Sequence, residues 1–123
     1  MQLERIDHVA IGVRDVEASQ KWYCDILGFE HLHPGVWDEP VFVGNDGAAV
    51  ALFHAQGDKK RSGRRELSIL HFAFQTSRLG FNSAQEKLRT CDIKFESQDH
   101  QISHSIYFRD PDGHQLEITT YEV

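Results

Sequence analysis

The sequence contains the same unit twice. Ile6-Asp7-His8-Val9-Ala10 returns as Ile69-Leu70-His71-Phe72-Ala73, an I-x-H-x-A pattern displaced by 63 positions. Cys24-Asp25-Ile26-Leu27-Gly28-Phe29-Glu30 returns as Cys91-Asp92-Ile93-Lys94-Phe95-Glu96, one residue shorter, and Asp46-Gly47 returns as Asp112-Gly113. Three matches in the same order mark a duplication, so the fold must be one that two equivalent halves can build. The expected division is a module over residues 1–56, a linker over 57–66 and a module over 67–123, together forming the single domain that 123 residues allow.

Each module carries the same local signals in the same order. An alternating apolar segment, Ile6 to Val13 and again Leu67 to Phe74, reads as a half-buried strand. A helix follows. In the first module Asp15 suits the N-cap, Val16, Tyr23, Ile26 and Leu27 share a face, and Gly28 suits the stop. In the second, Phe81, Ala84, Leu88 and Cys91 make the apolar stripe. Three short strands complete each module, the last two joined by turns at Asn45-Asp46-Gly47 and Asp110-Pro111-Asp112-Gly113. The predicted unit is βαβββ, twice, an α+β chain with a curved, mostly antiparallel sheet.

Strand parity sorts the side chains. Val9, Ile11 and Val13 are bulky while His8 and Ala10 lie opposite; Leu70, Phe72 and Phe74 are bulky while His71 and Ala73 lie opposite. In the last strand Leu116 and Ile118 are apolar and Glu117 lies between them on the other face. Two imidazoles and one carboxylate form the facial set that holds Fe(II) or Mn(II) with open positions, so His8, His71 and Glu117 are the expected metal ligands. Fe(II) or Mn(II) is favoured, with Zn(II) as the alternative.

The last turn predicts a register. Asp at its first position and Pro at its second suit a type I turn, and Gly113 suits the left-handed residue of a three-residue loop with a bulge. Asp110 then pairs with His114, Tyr107 with Glu117, Phe108 with Leu116 and Ile106 with Ile118. Tyr107 thereby becomes a candidate for orienting substrate or supplying a proton. The same register applied to the first module sets Val41 opposite Ala51. Neither binds metal, so one three-ligand site per chain is expected.

Charge and composition narrow the partners. The net charge is −6, and five of thirteen basic residues sit in the run Lys59 to Arg65, leaving −11 elsewhere, which repels a phosphate backbone. Nucleic acid is excluded as an expected partner. The longest apolar run, Ala48 to Phe53, is too short to cross a bilayer, and the first residues lack the apolar stretch of a secretory signal. No membrane association and a cytoplasmic location are expected. Cys24 and Cys91 form no metal-binding spacing and are expected as buried free thiols.

The sequence resembles the vicinal oxygen chelate superfamily, which includes glyoxalase I, bleomycin-resistance proteins, fosfomycin-resistance enzymes and extradiol dioxygenases. The resemblance rests on His8, on Trp22 to Phe29, on His71 and on Tyr107-Phe108-Arg109-Asp110-Pro111-Asp112-Gly113-His114-Gln115-Leu116-Glu117. It implies a sheet curved around a metal, a small-molecule substrate and a homodimer, in which strands of two chains complete each site in many small members. Glyoxalase I carries a glutamate where Ala51 stands, which argues against a lactoylglutathione lyase. Fosfomycin-modifying enzymes match at His8, His71, Glu117 and Tyr107, but their basic phosphonate-binding residues follow the final glutamate at positions this sequence does not reach.

Extradiol dioxygenases carry a signature similar to His100 through Glu117, with Gln98 a departure from it. That resemblance implies His100 as a further catalytic candidate near bound substrate. His54 is another acid–base candidate, and Trp37 a residue for covering an aromatic substrate. The expected function is a metal-dependent enzyme acting on a small oxygenated compound, with dioxygenase-type chemistry narrowly favoured. The alternatives are a metal-dependent lyase or thiol transferase and a non-catalytic binding protein of the bleomycin-resistance type.

Overall fold

A computed structural model describes residues 1–45, 47–57 and 68–123. The chain divides into two compact units, Met1–Lys60 and Arg61–Val123, one for each copy of the repeat. The first holds β1 (Val9–Val13), α1 (Val16–Leu27), β2 (Glu30–Leu32), β3 (Val41–Asn45) and β4 (Ala48–His54). The second holds β5 (Phe72–Gln75), α2 (Arg78–Thr90), β6 (Glu96–Asp99), β7 (His104–Arg109) and β8 (Gln115–Thr120). Each unit is βαβββ with its own four-stranded sheet, ordered β1-β4-β3-β2 and β5-β8-β7-β6. The first strand of each pairs parallel with the last, and the remaining pairs are antiparallel.

Local chemistry sets the helix ends. The Asp15 carboxylate accepts from the Ala18 N–H at 3.0 Å, and Gly28 leaves α1 with φ 69°. The Ser77 hydroxyl accepts from the Gly80 N–H at 3.1 Å, while Lys87 and Arg89 in the last turn of α2 face its negative end. Both helices lie against their own sheet, α1 on β3 and β4 and α2 on β8. The apolar faces meet there: Val13, Val43, Val50, Leu52 and Tyr23 in the first unit, and Phe81, Leu88, Ile106, Phe108 and Leu116 in the second, all buried. Burying each such side chain contributes about 1.5–3 kcal/mol. No helix among the described residues is long and apolar enough to cross a membrane.

Several expectations shift. β1 and β5 begin at Val9 and Phe72, so His8 and His71 precede the strands that parity assigned them to. Alternation continues beyond the point where a ladder partner exists, and Ile6, Ile69 and Leu70 are exposed. Cys91 is also exposed, because it is the cap position after α2 and not part of its buried stripe; Cys24 is half-buried. In the first unit Phe42, not Val41, lies opposite Ala51. Asn45 pairs directly with Ala48, leaving two residues in that connection, whereas three residues separate Asp110 from its partner His114. The basic run Lys59 to Arg65, Leu67 and Asp46 lie outside the described residues.

Candidate metal centre

The β7–β8 ladder places the second unit's polar side chains. Tyr107 pairs with Glu117, Phe108 with Leu116 and Ile106 with Ile118. Asp110 holds this register, its Oδ1 accepting from the N–H groups of Asp112 at 3.0 Å and His114 at 2.9 Å, while Gly113 takes φ 87°. On the other side of β8, Ala73 of β5 is the register partner of Glu117 and presents only a methyl group there. Glu117 thus sits in the centre of a sheet face with small or polar neighbours, and the residue is only 9% exposed.

His71, one residue before β5, reaches this carboxylate: its Nε2 lies 3.0 Å from Glu117 Oε2. Its ring stands edge-on to Tyr107, with centroids 5.6 Å apart. The Tyr107 phenol is held above its ordinary pKa, first by burial and then by the charge and hydrogen bonding of Glu117, against a smaller opposing effect of Ser105. A phenol so held keeps its proton at neutral pH. His100 Nε2 lies 3.1 Å from the phenol oxygen. The loop that carries His100 is closed by a 2.9 Å bond from the His100 N–H to the Ser103 carbonyl and a 2.8 Å bond from the Gln101 N–H to Asp99 Oδ1.

The first unit repeats this arrangement with apolar residues. The His8 ring stands edge-on to Phe42 at 4.9 Å, and Phe42 faces Ala51 where Tyr107 faces Glu117. Asp7 Oδ2 lies 2.7 Å from His8 Nδ1, so this ring can donate from Nδ1 and keep the Nε2 lone pair available. Sequence reasoning passed over Asp7, although the adjacent Asp-His pair was its only available signal. Trp37 is 50% exposed and packs 5.4 Å from Phe42 and 5.9 Å from His33, extending an aromatic wall beside His8. His54 ends β4 exposed, and its N–H donates to the Glu39 carboxylate.

Of the five sequence-predicted site residues, four therefore meet in the second unit: His71, Glu117, Tyr107 and His100. His8 belongs to the first unit. Among the described residues no third His, Cys, Asp or Glu joins His71 and Glu117. An imidazole nitrogen and a buried carboxylate oxygen 3.0 Å apart are the donor types that Fe(II), Mn(II) and Zn(II) accept, and they leave most of a coordination sphere to be supplied.

Residues 5–118 match the family profile described as "Glyoxalase/Bleomycin resistance protein/Dioxygenase superfamily". The chain is 32% identical over 123 residues to the metallothiol transferase FosB of Staphylococcus haemolyticus, covering 96% of this chain and 84% of the relative. It is 25% identical over 116 residues to the glutathione transferase FosA of Serratia marcescens, covering 94% and 80%. Among solved structures, the glyoxylase/bleomycin resistance protein/dioxygenase domain from Frankia sp. EAN1pec superposes with a TM-score of 0.78 at 25% identity, covering 97% of this chain and 93% of that one.

Proposed function

This chain belongs to the Glyoxalase/Bleomycin resistance protein/Dioxygenase superfamily, and on that premise we propose that it is a metal-dependent transferase joining a thiol to a small oxygenated compound. The observation that carries this reading is the convergence of His71, Glu117 and Tyr107 on one sheet face. Support comes from the thiol transferases among its relatives. They move the balance away from the dioxygenase chemistry that the His100–Glu117 signature favours.

In this reading His71 and Glu117 are two ligands of a divalent cation, Mn(II), Fe(II) or Zn(II). When bound, the cation would withdraw electron density from two neighbouring substrate oxygens. The protein's own groups do the rest. A thiol sulfur attacks a substrate carbon, a carbon–sulfur bond forms and the carbon–oxygen bond at that carbon breaks. The released oxygen takes the Tyr107 proton, which the raised pKa keeps in place at neutral pH. His100, within hydrogen-bond distance of the phenol oxygen, accepts the thiol proton and returns one to Tyr107. The protein is read as a cytoplasmic homodimer, and the exposed Leu3, Ile6, Ile69 and Leu70 offer apolar surface for a second copy to cover.

A second reading keeps one specific support. The similarity of His100 through Glu117 to the extradiol signature implies His100 near bound substrate, and His100 Nε2 lies 3.1 Å from the oxygen of Tyr107. One experiment separates the two. Protein loaded with Mn(II), and separately with Fe(II) under anaerobic conditions, is offered glutathione with a panel of electrophilic oxygenated compounds, then catechols under air. Thiol adducts detected by mass spectrometry without oxygen uptake support the transferase. Oxygen uptake with ring-cleavage absorbance replaces it with the dioxygenase, and neither result in metal-loaded protein removes both.

A further inference from the structure

On the face that carries Glu117, the next register pair toward the turn is Arg109 with Gln115. Residues two apart on a strand point to the same side and lie about 7 Å apart. Arg109 and Gln115 are therefore the immediate neighbours, along both strands, of Tyr107 and Glu117. The guanidinium is held toward the turn by a 2.8 Å bond from Nη1 to the Gly113 carbonyl and a 3.5 Å contact from Nη2 to Gln115 Oε1. These partners are neutral, and among the described residues no carboxylate forms an ion pair with Arg109.

Arg109, Gln115 and Tyr107 line one cavity of about 960 Å³ in the second unit, and Tyr107, the register partner of Glu117, is where this cavity meets the His71–Glu117 pair, which does not itself line it. Arg89 and Lys94 also line it, against the two acids Asp92 and Glu96, so its wall carries a net positive charge in a chain of net charge −6. The duplication supplies a control. The corresponding places in the first unit are Gly44 and Ala49, themselves a register pair beside Phe42 and Ala51. A Cβ on Gly44 would lie 2.2 Å from the Ala48 carbonyl oxygen, so that hairpin has no room for a side chain. A cation and an amide thus stand only where the phenol and carboxylate also stand.

We propose that Arg109, with Gln115 beside it, binds an anionic group on the far end of the substrate, a carboxylate or a phosphate, whose other end is chelated at His71 and Glu117. The proposal rests on the reading of those two residues as metal ligands. A guanidinium with a neutral carbonyl partner keeps N–H donors and its full charge for an anion, and its planar fork matches paired oxygens. The substrate class is then an oxygenated molecule with two adjacent chelating oxygens and an anionic tail.

Three α-hydroxy acids with the same chelating end test this: lactate, without a tail; 2-hydroxyglutarate, with a carboxylate tail; and 3-phosphoglycerate, with a phosphate tail of matching length. Their affinities for Mn(II)-loaded protein are measured by calorimetry, after Mn(II) uptake is established by electron paramagnetic resonance. One tailed acid is expected to bind about tenfold more tightly than lactate, with the ratio falling to near one in Arg109→Gln and recovering partly in Arg109→Lys. Whichever tail is preferred identifies the anion. Equal binding of all three acids, failure of all three to bind, or a tail preference that survives Arg109→Gln overturns the proposal while the metal reading stands. Absence of Mn(II) uptake before any acid is added overturns both.

Discussion

Tyr107 stands across the β7–β8 ladder from Glu117, and the residue pair in the same place of the first unit is Phe42 with Ala51. Each aromatic ring carries an imidazole edge-on, His71 at 5.6 Å and His8 at 4.9 Å. One packing arrangement is thus built twice from a duplicated sequence. Only the second copy has a hydroxyl and a carboxylate on it.

Changing Tyr107→Phe makes the second unit copy the first at this position. The ring contact with His71 survives because it needs only the aromatic edge. Stability is expected to change by about 0.5–1.5 kcal/mol, the net worth of an ordinary hydrogen bond. Turnover is expected to fall about 10²–10⁴-fold, since the proton donor is gone. Urea denaturation and steady-state kinetics with Mn(II)-loaded protein check the two effects separately, and full turnover in the variant contradicts the assigned role.

Changing Glu117→Gln keeps the shape of the side chain and removes its charge. Mn(II) affinity is expected to fall by at least about 100-fold, because a ligand counts for more than the residues that orient it. On the proposed metal reading, Mn(II) at 100 times its dissociation constant is expected to add about 2.7 kcal/mol of stability to the unaltered protein, which chelation by EDTA would remove. Thermal melts with and without EDTA should therefore differ clearly for the native chain and by no more than about 0.4 kcal/mol in stability for the variant at the same Mn(II) concentration.

How far the sequence could be read depended on how tightly local chemistry constrains each feature. The register of Tyr107 with Glu117 was legible because Asp-Pro-Asp-Gly specifies a loop length, and loop length sets pairing. The first hairpin shares the Asp-Gly but not the preceding Asp-Pro, and its shorter connection moves Phe42 into the place expected for Val41. The helix stripe marked Phe81 and Leu88 correctly, yet it overran to Cys91, where the last turn has already ended. The alternation around His8 and His71 overran the strands because a period of two says nothing about whether a partner strand is present. That His71 meets Glu117 was nevertheless legible, since both were assigned to one side of the same module's sheet.

The two cysteines should separate by reactivity. Burial raises the Cys24 thiol above its ordinary pKa, helped by the nearby carboxylates of Asp25 and Glu30. The thiolate is the reactive form, and a raised pKa leaves less of it at any pH below that value. Cys91 is exposed at the end of α2. At pH 8 iodoacetamide is expected to label Cys91 first, with Cys24 catching up as the pH is raised. Peptide mass spectrometry of timed samples reads the order, and faster labelling of Cys24 contradicts the assignment.

Asp110 links the turn to the site. The residue is 5% exposed, and Asp110→Ala removes the acceptor of the Asp112 and His114 N–H groups. Leaving such donors without a partner costs about 1–3 kcal/mol, and Asp110→Asn, which keeps an oxygen there, should cost less. Leu88→Ala, in the core beneath α2, should cost about 2–5 kcal/mol without touching the turn. If the turn holds Tyr107 and Glu117 in register, the cheaper Asp110→Ala change must weaken Mn(II) binding more than Leu88→Ala does. Urea denaturation paired with Mn(II) titration of both variants measures this. Metal affinity that follows overall stability, whichever residue is changed, would show that the turn has no separate part in placing Glu117.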